Sequence, residues 1–317
     1  WLNLARELQF THTDTALMMA RQAYNAATEI NDEQIRAESS QLLGEILYDM
    51  GGIAQANLQL NEALSFYTAA GRTEEIAQTN LLLSRVYQRS ENYGEAFLYL
   101  NKALNGFEEI NFEAGIARIH GELGHVYEKV QLYDSALRFQ QKALSYYSKA
   151  NDTLGLAHIH DNLGSIYEDL EVYDEAYLHF ELALHLNEAR FNYSAATVNL
   201  NNMGDIYRKK GDLDQALHYS RRALDYAVRT HQEYQIKSAC RDISEVYFDK
   251  SEFAKAYRFL NRSYELTDDL FSQQIAEEIA KTQAVHELQQ KQAQIIFLEN
   301  SRTTNRLLAL VSIGGIV

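Results

Sequence analysis

Small and large residues recur along the chain with a spacing of 40 residues. One series contains only glycine and serine: Gly44, Ser84, Gly124, Gly164, Gly204 and Ser244. A second contains Tyr87, Tyr127, Tyr167, Tyr207 and Tyr247, with Leu47 in the earliest copy. Two further series hold alanine at every step, one from Ala16 to Ala256 and the other from Ala23 to Ala223. Four parallel series without an insertion indicate repeats of one structural unit.

Each repeat has the pattern of two helices separated by a short break. In residues 161–184, which read DNLGSIYEDLEVYDEAYLHFELAL, the break falls at residues 171–174. Small residues at the glycine and alanine positions allow two helix axes to approach closely, and the large residues fill the space between them. The pattern therefore predicts an all-α chain of antiparallel helix hairpins.

Polar residues and glycines mark where these helices should begin and end. Asp134, Asp174 and Asp214 precede the second helix of their repeats, where we expect them to cap free backbone N–H groups. At the other end, we expect a left-handed residue at Asn31, Gly71, Asn111 and Asn151. In the last two copies Phe191 and His231 take that place, so the ends of those helices are less clearly marked.

The repeat resembles a known helical family. The positions that carry the resemblance are Leu163, Gly164, Tyr167, Ala176, Phe180 and Ala183. They match the tetratricopeptide repeat, which has a period of 34 residues. Here each unit is six residues longer, and Glu188 stands where the family often has proline. The chain is therefore similar to the longer variant found in bacterial peptide receptors and sensors and in some eukaryotic scaffold proteins.

The resemblance implies a fold for residues 1–270. It implies a right-handed superhelical solenoid of about seven hairpins, beginning with a shortened hairpin at residues 1–30. The first helix of each hairpin should line the concave face, and the second helix the convex face.

The 40-residue period ends after Asp269. We expect residues 271–306 to form a long helical stalk with weak coiled-coil character, because polar residues interrupt the heptad seam of Val285, Leu288 and Ile295. Dimerisation of two chains through this stalk is an open alternative. We expect the apolar residues 307–317 to begin a transmembrane helix, since their length is about half of the 20 or so residues that a bilayer span needs. The alternative is an apolar tail that packs on the protein or on a partner.

Composition and charge exclude several classes of function. The chain contains no proline, which favours helix throughout. Its 44 acidic residues exceed its 29 basic residues and give a net charge of -15, which argues against nucleic-acid binding. The single cysteine, Cys240, excludes an internal disulfide, and we expect it to be buried. No Walker loop, dinucleotide fingerprint, HExxH motif or CxxC pair is present, so we expect neither an enzyme nor a cofactor.

Histidines raise the question of a metal site. His120 and His160 occupy the same repeat position, which the family often fills with tryptophan, so packing between helices explains them better than metal binding. His158 and His160 lie two residues apart and should face different sides of their helix. We therefore expect no metal.

The family also suggests which residues contact a ligand. Its groove positions correspond to Arg118, Glu122, His125, Lys129, His158, Asp161, Asn162, Ser165, Glu168, Asn201, Asn202, Asp205, Arg208, Lys209, Arg241, Glu245 and Phe248. Asn162 and Asn202 resemble the asparagines with which family members bind a peptide backbone, since an amide offers a donor and an acceptor. The alternative is that both are ordinary solvent-facing residues.

Together these features predict a sensor or scaffold that binds a peptide or protein segment in its groove. The order of elements resembles bacterial signalling proteins in which the repeats precede a membrane helix and a histidine-kinase or DNA-binding output domain. This implies membrane anchoring, with the repeats outside the cytoplasm. The alternative is a soluble cytoplasmic peptide receptor or adaptor whose apolar tail contacts a partner.

Overall fold

The computed structural model of the chain describes residues 1–9 and 12–267, and the regular secondary structure in these residues is α-helical. The helices with complete bounds are α1 (Leu2–Leu8), α2 (Thr13–Glu29), α3 (Glu33–Asp49), α4 (Ile53–Ala69), α5 (Thr73–Arg89), α6 (Tyr93–Glu109), α7 (Glu113–Lys129), α8 (Tyr133–Ala150), α9 (Thr153–Asp169), α10 (Tyr173–Ala189), α11 (Tyr193–Lys209), α12 (Leu213–Arg229) and α13 (Glu233–Asp249). Residues 253–267 are also helical.

Consecutive helices pack as hairpins, as the repeat predicts. The most extensive contacts join α3 to α4, α5 to α6, α7 to α8 and α9 to α10. Each hairpin then contacts the next one along the chain, for example through α4 and α5. The described residues form two compact units that divide between Gly211 and Asp212. The extent of one array over residues 1–270 stays a prediction.

The small residues of the repeat lie where two helices approach most closely. A Cβ atom added to Gly164 would lie 2.6 Å from the ring of Phe180, which is fully buried. A Cβ atom at Gly44 would lie 2.6 Å from Cγ of Leu60 in the facing helix. Real Cβ atoms do not reach such distances, so these helices pack at a separation that only glycine allows. The predicted role of this series is therefore confirmed at these two positions.

A left-handed residue ends each helix from α2 to α13. The predicted positions Asn31, Gly71, Asn111 and Asn151 all have positive φ, and Phe191 and His231 do as well. The sequence patterns did not reveal a second series halfway between them: Gly51, Glu91, Gln131, Glu171, Gly211 and Ser251. After α8, the N–H of Asn151 donates to the carbonyl oxygen of Ser148 at 3.3 Å, and that of Asp152 donates to Tyr147 at 3.0 Å. This is the Schellman pattern, which satisfies the last carbonyl groups of a helix.

The predicted capping role of three aspartates is wrong. Asp134, Asp174 and Asp214 lie inside the first turn of α8, α10 and α12, because the left-handed residue that precedes each helix lets it begin earlier. Asp174 instead pairs with Lys210, with 2.6 Å between Nζ and Oδ1, and Asp214 pairs with Lys250. Side chains of other residues do cap five helices, at Asp32, Asn92, Asp152, Asn192 and Asp212, and the last of these caps α12 itself.

The predicted membrane-anchored location, with the repeats outside the cytoplasm, is wrong on the evidence of the described helices. None of the helices within residues 1–9 and 12–267 is both long and apolar enough to cross a membrane. Most are 17 residues long, and each carries exposed polar residues, whereas a span needs about 20 largely apolar ones. The predicted stalk at residues 271–306 and the apolar segment at residues 307–317 lie outside the described residues.

Candidate functional site

A concave groove of about 1120 Å³ lies within the unit Trp1–Gly211. Its walls are the first helices of four successive hairpins, α3, α5, α7 and α9. The charged and amide side chains and the histidines that line it are Gln41, Glu45, Gln78, Arg85, Gln88, Arg89, Arg118, Glu122, His125, Asp152, His158 and Asn162. Aromatic and aliphatic side chains line it as well, among them Tyr48, Phe112, Tyr147 and Leu154. A groove with this mixture can accept both the backbone and the side chains of an extended ligand.

Only some of the predicted groove residues line this site. Those that do are Arg118, Glu122, His125, His158 and Asn162. Those elsewhere on α7, α9 and α11 are Lys129, Asp161, Ser165, Glu168, Asn201, Asn202, Asp205, Arg208 and Lys209. Arg241, Glu245 and Phe248 belong to the second compact unit. The full set stays a prediction of the ligand contacts.

An ion pair between successive first helices crosses the groove. Oε1 of Glu122 on α7 accepts hydrogen bonds from Nε and Nη2 of Arg85 on α5, at 2.9 and 2.5 Å. Oε2 of Glu122 accepts a third from Gln88 at 3.2 Å. Burial would raise the pKa of Glu122, but the Arg85 guanidinium and these hydrogen bonds hold it below its ordinary value. The chain itself therefore neutralises this carboxylate.

Arg118 lies one turn before Glu122 on α7 but forms no ion pair or hydrogen bond within the described residues. Burial in the groove and the neighbouring charge of Arg85 both lower the pKa of its guanidinium. The pKa of His158 on α9 is lowered by burial and then by Arg85, with a further contribution from Arg118. The carboxylate of Glu122 acts on both pKa values in the opposite direction, so a charge on the same helix partly offsets that of Arg118.

The α3 end of the groove carries side chains of both charge signs. Burial and the adjacent charge of Asp49 raise the pKa of Glu45. Arg89 on α5 is held by α3, because its Nη1 donates to the carbonyl oxygen of Tyr48 at 3.0 Å and its guanidinium lies 5.3 Å from the centre of the Tyr48 ring. Side chains of both charge signs therefore line the groove near α3 as well as near α7.

A second polar cluster joins α9 to its neighbours. Oδ1 of Asp161 accepts a hydrogen bond from Nδ2 of Asn199 on α11 at 2.6 Å, and Asn199 in turn accepts one from Asn187 on α10 at 2.9 Å. Burial and the charge of Glu128 raise the pKa of Asp161 to about 6. Glu128 is itself buried and contacts Lys129, with 2.9 Å between Nζ and Oε1. These residues connect hairpins to one another.

The charged residues at the C-terminal ends of α9 and α11 also pair among themselves. Nζ of Lys209 lies 2.5 Å from Glu168 and 3.0 Å from Asp205. Arg208 contacts the same Asp205 at 2.9 Å. Burial lowers the pKa of Lys209, but its two carboxylate partners raise it more. Several predicted groove residues are thus engaged by other side chains of the chain.

The predicted asparagines differ in their surroundings. Asn162 lines the groove, is half-buried and makes no side-chain hydrogen bond within the described residues. Asn202, at the same repeat position, is equally half-buried but lies outside the groove. Asn201 is 8% exposed, and its Oδ1 has no hydrogen-bond partner in the part of the chain that the structure describes. Asn162 is therefore placed to pair with a ligand's backbone amide.

The histidines and the cysteine pack as expected. Nδ1 of His160 lies 2.9 Å from Nδ1 of His179, and the Tyr167 ring stacks on His179 with 5.4 Å between ring centres. Burial and then His179 lower the pKa of His160 to about 4, so both rings are uncharged at neutral pH. Within residues 1–9 and 12–267, no group of three or more histidine, cysteine or acidic side chains could hold a metal ion. Cys240 is fully buried, as predicted, and burial raises the pKa of its thiol.

The repeat geometry agrees with a comparison of the sequence with known families. A family model described as tetratricopeptide repeat matches residues 115–189 and 194–269. This part of the chain belongs to the tetratricopeptide repeat family. Among curated proteins, no sequence gives a significant match.

Solved structures share the fold of this tetratricopeptide repeat protein at low sequence identity. The apo form of RapI has a TM-score of 0.67 at 15% identity and covers 86% of this chain and 97% of its own. A Rap protein complexed with competence and sporulation factor has a TM-score of 0.65 at 15% identity, over 82% of this chain and 81% of its own. A signal transduction ATPase from Pyrococcus horikoshii, with a tetratricopeptide repeat sensor, has a TM-score of 0.66 at 17% identity and covers 87% of this chain and 43% of its own.

Sequence reasoning missed the half of the groove that lies nearer the N-terminus of this tetratricopeptide repeat protein. Gln78 occupies the same repeat position as Arg118, and Glu45 and Arg85 occupy that of His125. Continuing the 40-residue register towards the N-terminus would have found them. Tyr147 is different, because it reaches the groove from α8, a second helix that the family rule does not include.

Proposed function

We propose that this protein is a receptor or adaptor that binds a peptide, or an extended segment of a protein, in the groove of α3, α5, α7 and α9. The observation that carries the proposal is the groove itself, which offers amides and charged side chains from four successive helices. Among proteins of the same fold, one Rap protein is described in complex with competence and sporulation factor and another with the Phr* peptide. These relatives support a peptide as the ligand.

Asn162 supplies the recognition of backbone in this proposal. Its amide has no hydrogen-bond partner among residues 1–9 and 12–267, so it can donate to a carbonyl group and accept from an N–H group of the ligand. Gln41 and Gln78 line the same groove on α3 and α5 and offer the same pair of groups. Such contacts hold an extended chain without depending on its side chains. We propose binding, and no catalysis, for the described residues.

Binding would act through the spacing of the hairpins. A ligand that contacts α5, α7 and α9 together interacts best with one arrangement of these helices and therefore favours it over others. Because each hairpin of a repeat array contacts only its neighbours, such a preference passes along the array. This is how a bound peptide would alter the rest of the protein.

A pool of random heptapeptides, passed over the immobilised full chain, tests the proposal. We expect the wild type to retain a subset of the pool, and Asn162→Ala to weaken the retained peptides about 10-fold, since one lost hydrogen bond to a backbone group costs about 1.4 kcal/mol. Asn202→Ala is the matched control, because it removes the same side chain at the same repeat position outside the groove. Retention of no peptide by the wild type would refute peptide binding. Equal losses in both variants would place binding elsewhere.

A further inference from the structure

The last described helix, residues 253–267, has an exposed apolar stripe. Four large side chains recur along it at intervals of three or four residues and therefore share one side of the helix: Phe253, Tyr257, Leu260 and Tyr264. They are 59%, 68%, 37% and 63% exposed. Phe248 at the end of α13 extends the stripe, since its ring meets that of Phe253 edge to face with 5.5 Å between ring centres. Adjacent exposed apolar side chains of this size mark an interaction surface.

One repeat earlier, a neighbouring helix covers the equivalent side chains. Leu217 and Leu224 of α12 stand 40 residues before the two tyrosines of the stripe. Both leucines are half-buried against a cluster that contains Ile243 and Tyr247 of α13. The first helix of the next hairpin therefore shields this side of the second helix from water.

The same contact recurs in two hairpins of the other compact unit. Phe97 of α6 and Tyr177 of α10 occupy the repeat position of Tyr257. Their rings contact those of Tyr127 on α7 and Tyr207 on α11, with 4.7 and 5.6 Å between ring centres. The stripe on residues 253–267 is thus a packing surface of the repeat that the described residues leave exposed.

The repeat does not continue with the side chains that provide this cover. Forty residues after Ile243 and Tyr247 the sequence has Gln283 and Glu287, an amide and a carboxylate. Placing such groups against aromatic side chains costs free energy, because they lose water without gaining a polar partner. The 40-residue repeat therefore supplies no apolar cover of its own at these positions, which favours a second chain.

From this arrangement we infer that the stripe joins two copies of this chain into a homodimer. The spacing of the four side chains is self-complementary. If the two helices run antiparallel about a two-fold axis between residues 258 and 259, Phe253 faces Tyr264 and Tyr257 faces Leu260 of the other copy. Every contact then occurs twice, as an interface with two-fold symmetry requires. This contact is independent of the groove and of the peptide proposed to bind there.

Charge and area both allow this contact. Lys255, Arg258 and Arg262 lie on the other side of the same helix, because successive residues are about 100° apart around its axis. The stripe itself is uncharged, so two chains with a net charge of -15 can meet there without placing like charges in the contact. Since a fully buried aromatic side chain removes about 150–250 Å² from water, the stripe would bury about 500 Å² on each copy. That total lies near the lower limit of a specific interface and corresponds to a reversible dimer.

Sedimentation equilibrium of the full chain over a series of protein concentrations tests the inference. We expect the average mass to rise from that of one chain towards that of two. Tyr257→Ser combined with Tyr264→Ser should weaken the association at least 10-fold, because it removes two aromatic side chains from each copy. Tyr234→Ser is the control, since Tyr234 is 67% exposed but occupies the repeat position of Leu154, which lines the groove. A chain that stays monomeric, or a dimer that the double variant does not weaken, overturns the inference.

Cross-linking tests the same contact without removing the tyrosines together. Tyr257→Cys in one preparation is mixed with Leu260→Cys in another, and a short bismaleimide is added, because facing helices lie about 8–10 Å apart. We expect more linked product in the mixture than in either preparation alone, and less when Tyr234→Cys replaces Tyr257→Cys. The native Cys240 is fully buried and should not react. A mixture that gives no more linked product than the Tyr234→Cys control overturns the proposed pairing.

Discussion

Replacing Asp161 by asparagine should stabilise the protein above pH 6. The Asp161 carboxylate is held between α9 and α11, where it accepts a hydrogen bond of 2.6 Å from Asn199. Burial, and then the charge of Glu128, raise its pKa from 3.8 to about 6. An asparagine at this position has no charge to bury, and its Oδ1 can still accept from Asn199.

The sign and size of this effect follow from the pKa. Between about pH 4 and pH 6, the folded protein holds a proton on Asp161 that the unfolded chain has lost, so the free energy of unfolding falls as the pH rises through this window. A difference of about two pKa units corresponds to about 3 kcal/mol at most. Because the Asp161 side chain is only half-buried, water screens the charge, and we expect about 1–2 kcal/mol.

Urea unfolding at pH 4.5 and pH 7.5, followed by circular dichroism, measures the effect. The gain of Asp161→Asn over the wild type should grow by about 1–2 kcal/mol from the lower to the higher pH. Asp174→Asn is the control, since that aspartate is 90% exposed and pairs with Lys210 at the surface. Other groups titrate equally in both proteins and cancel in the difference. An equal gain at both pH values, or a loss at pH 7.5, would show that Asp161 is not strained by its burial.

Two further substitutions test the packing and the ion pair of the first unit. Gly164→Ala should lower the free energy of unfolding by about 1–3 kcal/mol, because the added methyl group meets a fully buried phenylalanine ring. Gly94→Ala should have no such cost, since the nearest atom would lie 3.8 Å away, and equal melting temperatures of the two variants would contradict the packing. Arg85→Gln should cost about 1–3 kcal/mol by leaving Glu122 charged without its partner. Adding Glu122→Gln should recover most of the lost free energy of unfolding, as measured by urea unfolding. If the double variant remains as unstable as Arg85→Gln, the broken ion pair is not the cause of the loss.

The hairpins could be predicted because their causes are periodic. Gly124 and Gly164 recur at the positions where two helices approach each other closely. The pattern of residue sizes therefore predicts which positions of the helices pack together. Only one of the two series of left-handed residues could be predicted. Asparagine and glycine mark some of them, but Glu91 and Gln131 adopt the same conformation without any preference for it, because the packed helices on both sides require the turn.

The groove was less predictable, because pairing decides which of its residues are available. In the sequence, Arg118 and Glu122 are equivalent candidates for ligand binding, because both are polar residues on the exposed side of one helix. Only the structure shows that Arg85, on the preceding first helix, forms the ion pair with Glu122, while Arg118 forms none with the described residues. Likewise, the repeat position of Lys209 does not show that its side chain is engaged in ion pairs while that of Arg118 is not. Contacts between different repeats cannot be deduced from the register of one repeat.

The left-handed residues that end α2 to α13 have a consequence for how such a chain can change. They end a helix and reverse the direction of the backbone every 20 residues, whatever side chain the position carries. The ends of the helices therefore do not depend on the residues that face the groove. Folding and recognition are thereby encoded at separate positions of each unit. Duplication of a 40-residue segment would add one hairpin and its own binding side chains while preserving the contacts between existing neighbours. New specificity can therefore be acquired one hairpin at a time.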